Sequence, residues 1–339
     1  MFNIIYKRTL AAVPLLLILS LVAFSIIKSL PGDPIDVMLG TAQRDVAPER
    51  IAELRSELGL DKPVAEQYLR WLWHVTTKAD FGRSYKDGRP VTEVIGERLP
   101  ATLDLVVTSL IISFFSGTVW GLLMVWSRNK SAKNFVEGIL FCTAIVLYSS
   151  PNFWVGLLII AALASYPALA GFSLLGLHDP GTTATFTSTA RHIIIPAIVL
   201  STRRTAKIAL FVRASTLDEL GREYVLTARS KGLKRSAVLL KHVARNSLIP
   251  VASLVGLSLP ALLGGSVLIE TVFAWPGMGR LAVESTFARN YSVMLALIVL
   301  YGVMVIVSSL IADLIQIWLD PRLSAPSEDS PNKAGVATA

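Results

Sequence analysis

Cysteine is almost absent from this 339-residue sequence: Cys142 stands alone inside an apolar run. An internal disulfide and a CxxC metal site are therefore excluded. Histidine is sparse as well. His74, His178, His192 and His242 are the full set, and no two lie at HxxxH spacing, which removes the usual helical metal pair. No GxxxxGK[ST] occurs, so the chain has no phosphate-cradling loop of its own, and GxSxG, HExxH and GxGxxG are missing too. Charge is scarce. Asp, Glu, Lys and Arg make up 17% of the chain against 53% hydrophobic residues. A soluble domain carries about 25% charged residues, and a disordered chain is more polar still. A net charge of +8 suggests a nucleic-acid partner until the apolar residues are seen to be clustered.

The clusters form six runs: 9–27, 103–126, 136–165, 193–212, 248–269 and 293–319. A bilayer core about 30 Å thick needs about 20 apolar helical residues to cross it, and each run reaches that length. Lys7 and Arg8 precede the first run in the manner of a signal peptide. The run is long for one and has no clear small-x-small site, so it reads as an uncleaved anchor. The expected fold is all-α, an integral membrane protein of six transmembrane helices. Orientation follows from Lys and Arg in the short flanks. Lys7, Arg8, Arg128, Lys130 and Lys133 fall on one side, together with eight basic residues from Arg213 to Arg245; Arg191, Arg280 and Arg289 fall on the other. Both termini and the basic loop are then cytoplasmic.

Between spans 1 and 2, residues 28–98 hold eleven basic and twelve acidic side chains. This balance reads as a small extracytoplasmic helical insertion. Pro48–Leu58 opens with a first-turn proline, and Val64–Val75 carries Tyr68, Leu69, Leu72 and Val75 at helix spacing. The expected organisation is 1–29 for the N-terminus and first helix, 30–100 for the insertion, and 101–322 for a five-helix core with a cytoplasmic loop at 213–250. Residues 323–339 are a disordered cytoplasmic tail. Asp104 and Asp313 sit near opposite ends of their spans, a poor arrangement for an intramembrane hydrolase. A proton-driven carrier would need a buried Asp/Glu/His relay, and the spans offer few such groups.

The basic loop is the most informative stretch. A short helix, a break at Gly232 and a second helix lead into span 5, and Gly232 can take the left-handed conformation that ends a helix. Val225, Ala228 and Arg229 share a face by spacing. Such a face suits a groove on another protein or an anionic lipid surface, and composition leaves both open.

The loop resembles the EAA loop of binding-protein-dependent ABC importer permeases, in its dipeptide/oligopeptide/nickel form. The resembling residues are Tyr224, Thr227, Ala228, Arg229, Lys231, Gly232 and Leu233, then Arg245-Asn246 and Leu248-Ile249-Pro250. Leu226, Thr227 and Ala228 replace the literal acidic-Ala-Ala triplet. Further matching motifs run from Arg8 to Arg322. They are Pro31-Gly32-Asp33-Pro34, Leu58-Gly59-Leu60-Asp61-Lys62-Pro63, Gln67-Tyr68, Asp80-Phe81-Gly82-Arg83-Ser84, Arg98–Leu103, Glu270–Gly279, Asp313 and Leu319–Arg322.

The resemblance implies a type I ABC importer permease fold and a translocation subunit that hydrolyses nothing itself. It implies a second homologous permease, two ATP-binding subunits carrying ATP and Mg, and an extracytoplasmic binding protein in the bacterial inner membrane. Cargo would be short peptides or similar small solutes, with a nickel chelate as the alternative. The segment from Tyr224 to Gly232 would be a coupling helix docked on an ATPase. Tyr224 would act as an aromatic anchor, Ala228 would permit close approach, and Arg229 and Lys231 would meet acidic groups. Helix 234–245 would pass motion to span 5 at Pro250. No cofactor or metal is expected on this chain. The Trp275-Pro276-Gly277 turn is open to two readings, beside a docked binding protein or as a cap on the span.

One departure from the resemblance stands in span 4. Arg203, Arg204 and Lys207 occupy places where permeases of this kind usually carry apolar residues. An ionised side chain at mid-bilayer costs at least about 2.5–3.5 kcal/mol. These cations therefore need water, a partner charge or cargo. They line the translocation path and meet anionic cargo, or they pair with Asp104 or Asp313 or snorkel to the interface.

Overall fold

The computed structural model describes residues 2–29, 35, 47–57, 59–128, 131–165, 176–177, 186–248, 251 and 258–319. The Pro31–Pro34 motif, Leu58, Pro250, most of the first half of the fifth run, and the chain from Asp320 onward, including the 323–339 tail, lie outside these residues.

Every element named here is helical. The apolar first run makes α1 (Phe2–Ser29). Two helices follow in the polar insertion, α2 (Pro48–Glu57) and α3 (Val64–Lys78). The second run lies within α4 (Val91–Ser127), 37 residues long. The third run is not one helix. It splits into α5 (Ser131–Ser149) and α6 (Asn152–Ser165), bent by 107°. Pro151 explains the break, because its ring clashes with the preceding turn and it donates no hydrogen bond. The fourth run lies within α7 (Phe186–Leu220), which continues through Pro196. Then come α8 (Glu223–Ser230) and a rod, α9, over 235–247, whose middle turns Val238–Val243 are π-helical. The last described elements are α10 (Leu259–Val272), α11 (Met278–Phe287) and α12 (Tyr291–Leu319).

Three of the described helices are long and apolar enough to cross a membrane: Arg8–Ser29, Val91–Ser127 and Tyr291–Ile317. The bent α5–α6 pair makes a fourth if counted as one span. Arg203, Arg204 and Lys207 dilute the apolar character of α7, and α10 has only 14 described residues.

The centre of the molecule is the pairing of α4 with α7. Gly117 and Gly121, one turn apart, make it close. A Cβ on Gly121 would stand 2.6 Å from the Ala209 carbonyl oxygen, and one on Gly117 would stand 2.8 Å from that of Thr205. Small residues at such spacing let helix backbones touch inside a membrane. A buried cluster then joins α4, α7 and α10 through Leu105, Leu200, Leu262, Ile269, Phe273 and Trp275. At the periphery α1 runs along α12, with Arg8 paired to Asp313 at 2.8 Å. The insertion rests on this pair: Tyr68 of α3 reaches Ser20 of α1 at 2.9 Å and stacks with Trp71. Leu69, on the other side of α3, stays exposed.

Candidate coupling surface and intramembrane cations

Arg222 opens α8 in an extended conformation, and Glu223 sits in its first turn, where the helix dipole favours negative charge. Gly232 closes it with φ +77°. The Gly232 amide donates to the Arg229 carbonyl at 2.9 Å and the Leu233 amide to that of Ala228 at 3.4 Å. This is the Schellman pattern, and it turns the chain sharply toward α9.

The faces of α8 are set by what it packs on. Val225 and Ala228 are buried, and Tyr224 is half-buried, against Val125 of α4, Leu217 and Leu220 of α7, and Val238, Leu239 and Val243 of α9. The face expected from Val225, Ala228 and Arg229 is therefore divided. The small side chain of Ala228 packs within this chain, behind the exposed side of α8. Leu226, Thr227, Arg229, Ser230, Lys231, Gly232 and Leu233 are exposed. Leu226, at 59% exposure, is the outward apolar residue that reasoning from the triplet alone passed over.

Two polar links fasten this unit. The Tyr224 hydroxyl donates to Glu219 Oε2 at 2.6 Å. Desolvation first, and then the neighbouring Glu219 carboxylate, push the phenol pKa up, which keeps it a donor. Arg235 donates to the Val125 carbonyl at 3.2 Å near the end of α4, where a cation suits the helix dipole. At its far end α9 is tied to α7. Ser215 Oγ donates to the Ser247 carbonyl at 3.1 Å, and Thr216 Oγ1 donates to Ser247 Oγ at 3.2 Å.

The three cations of α7 do not act together. Arg203 and Lys207 are exposed, and the Arg203 guanidinium lies 5.4 Å from the Tyr148 ring centre. Arg204 turns away and donates to the Ser258 carbonyl at 2.7 Å, at the start of α10. Its Nε is buried without a hydrogen-bond partner. Asp313 is taken by Arg8, and Asp104 is exposed.

The Glu270–Gly279 motif folds inward. Glu270 is fully buried. It accepts from Thr102 Oγ1 at 2.9 Å and from the Gly279 and Arg280 amides at 2.7 and 3.1 Å. The carboxylate so caps the N-terminus of α11 from a distance. Trp275 is also fully buried, and its indole N–H donates to the Ala101 carbonyl at 2.8 Å. This turn is a structural cap, and its tryptophan offers nothing to a partner.

A family model described as "Binding-protein-dependent transport system inner membrane component" matches residues 117–325, and the N-terminal membrane component of the same systems matches residues 1–106. The chain belongs to this family. Among its relatives, the oligopeptide transport system permease protein AppB of Bacillus subtilis is 38% identical over 320 residues, covering 94% of this chain and 98% of that one. The dipeptide transport system permease protein DppB of Escherichia coli K12 is 34% identical, covering 95% and 99%. The glutathione transport system permease protein GsiC of Salmonella paratyphi A is also 34% identical over 95% and 99%. A solved inward-facing structure of the MetNI methionine ABC transporter shares the fold at a TM-score of 0.53 and 18% identity, covering 67% of this chain and 97% of that one.

As an inner-membrane component of a transport system, the chain places all its singled-out residues inside the family match. Thr227, Arg229, Lys231, Gly232 and Leu233 come together on one outward surface. Tyr224 and Ala228 stand behind it. Arg203 and Lys207 share a face of α7, and Arg204 leaves them for α10.

Proposed function

We propose that this chain is the membrane-spanning permease subunit of an ATP-driven importer. It forms half of a translocation pathway for short peptides or similar small solutes delivered by an extracytoplasmic binding protein. The observation that carries the reading is the outward surface of α8 and its closing turn: an apolar Leu226 and Leu233 with Arg229 and Lys231, beside a helix whose inner side is locked into the chain. Such a surface fits a partly apolar cleft with an acidic rim on an ATP-binding subunit. The peptide-named relatives support the choice of cargo.

In this reading the six spans are α1, α4, the α5–α6 pair, α7, the fifth apolar run with α10, and α12. Residues 30–100 form the extracytoplasmic insertion, and residues 213–250 the cytoplasmic coupling loop. Both termini are cytoplasmic. ATP and Mg belong to two partner subunits, and a second homologous permease completes the pathway. Arg203 and Lys207 face that pathway, where water and anionic cargo offset the cost of a charge in the bilayer. Arg204 braces α7 against α10.

Copurification of two ATP-binding subunits and vanadate-sensitive dipeptide uptake are the expected results. Uptake that survives loss of those subunits and collapses with the proton gradient would reject the reading. For the pathway, Arg203→Gln and Lys207→Gln should slow uptake of an acidic dipeptide several-fold more than that of a neutral one, measured at equal protein level. Equal slowing of both, with less protein in the membrane, would make the cations structural.

A further inference from the structure

A cavity of about 330 Å³ lies where α1, α3, the 80–85 loop and the start of α12 meet. Its size is that of a small-ligand pocket, about 300 Å³ and upward. It is separate from the coupling surface and from the α7 cations, and its walls differ from end to end. Phe24 and Ile27 of α1 and Leu295 of α12, all buried, make the apolar part. They belong to the ends of two helices long and apolar enough to cross a membrane. The polar part comes from the insertion and the last turn of α1, where Lys28, Lys62 and Arg70 face Glu66 and Asp80.

The acids there are already engaged. Glu66 lies 4.0 Å from Lys62, and Asp80 lies 3.7 Å from His74 and accepts from the Gly82 amide at 2.8 Å. Lys28 lies over the Phe24 ring, 5.7 Å from its centre. Arg70 has no ion pair among the described residues. Two further wall groups, the Trp71 indole N–H and the Tyr291 hydroxyl, are buried without a hydrogen-bond partner. A wall with the Arg70 guanidinium beside the unspent Trp71 and Tyr291 donors favours an occupant rich in acceptor oxygens. The apolar part favours one that also carries hydrocarbon. Leu17, Leu21, Val22 and Ile26 of α1 are exposed apolar residues on the same membrane-length helix.

We propose that this cavity is a binding site for an anionic phospholipid. The phosphodiester head lies at Arg70 and the Trp71 and Tyr291 donors, and the upper part of the acyl chains lies against Phe24, Ile27 and Leu295. The site would tie the insertion to the membrane surface. It goes beyond the transport reading and does not depend on it, because lipid retention is measured without cargo or ATP.

The test uses the full-length chain, stripped of lipid in detergent and examined by native mass spectrometry. The probes are phosphatidylglycerol and phosphatidylcholine of identical chains, glycerol 3-phosphate, and an acidic dipeptide. Half-saturation by phosphatidylglycerol is expected at a concentration at least five-fold below that for phosphatidylcholine. Arg70→Gln should reduce this preference to under two-fold, and Arg70→Lys should restore most of it. Lys86→Gln removes a charge next to the wall residue Tyr85 but outside the cavity lining, and should leave the preference unchanged. Leu295→Trp, which fills the apolar part, should weaken both lipids, with thermal melting of each variant recorded to confirm folding. Equal binding of the two lipids would overturn the proposal, as would an equal effect of Lys86→Gln. Glycerol 3-phosphate binding as tightly as phosphatidylglycerol would reduce the site to a free-phosphate site. A tighter acidic dipeptide would assign it to cargo.

Discussion

Glu270 shows how one residue can hold a whole corner of the molecule. It lies at the end of an apolar helix, where a carboxylate is expensive unless every lone pair is used. Here Thr102 and two α11 amides use them. Thr102 in turn accepts from the Met278 amide at 2.8 Å, so α4, α10 and α11 share one network. Glu270→Gln can keep its one oxygen on the two α11 amides, but its N–H₂ then meets Thr102 Oγ1, and the Thr102 hydroxyl loses the acceptor it had. Leaving a buried donor unpaired costs about 1–3 kcal/mol. The expected outcome is a clear drop in melting temperature for Glu270→Gln, with a smaller drop for Thr102→Val. The double variant should lose less than the sum, because the two residues lie in one network. A strictly additive double variant would show that they act separately.

The helices divide into those whose packing shows in their own sequence and those whose packing does not. Apolar runs set the positions of α1, α4 and α12, and Ser149-Ser150-Pro151 carries the local chemistry for a break, although run length alone suggests one continuous span. Gly117 and Gly121 also carry a local signal for close approach, but only the structure supplies the partner, α7. Adding a methyl at Gly121 would drive it against backbone, at 2.6 Å from the Ala209 carbonyl oxygen. Overpacking of this kind costs about 1–3 kcal/mol. Gly121→Ala should therefore melt several degrees lower in detergent, while Gly138→Ala, in open space on α5, should melt like the parent.

The orientation of α8 was not legible for a different reason. A face of Val225 and Ala228 looks the same whether it meets a partner or its own chain. What decides is Val125, a hundred residues earlier in sequence, together with α9. Two substitutions separate the sides. Ala228→Leu should lower protein level and thermal stability by overfilling the interior. Leu226→Asp should leave melting unchanged and weaken recovery of the ATP-binding subunits about ten-fold or more. The opposite pattern would return Ala228 to the docking surface.

Across the whole molecule, the α4–α7 pair connects features that lie far apart. One end of α4 supplies Ala101 and Thr102 to the Trp275–Glu270 corner, and the other supplies Val125 to the bed of α8. The fourth helix of the core, α7, is unbroken over 35 residues and carries the exposed cations between those levels. α8 packs on the ends of α4 and α7 together. It also packs on α9, whose far end is joined to α7 through Ser247. That join is small and buried, with Thr216 and Ser247 both fully inaccessible, and it is made by residues other than the exposed ones of α8. Thr216→Val removes one hydrogen bond at almost constant volume, which costs about 1 kcal/mol. If α9 transmits motion to the pathway through this join, Thr216→Val should leave recovery of the ATP-binding subunits intact. Peptide uptake should fall several-fold while ATP hydrolysis by the assembled complex continues. Uptake and hydrolysis falling in the same proportion would place transmission elsewhere, through the direct contact of α8 with Val125 at the end of α4.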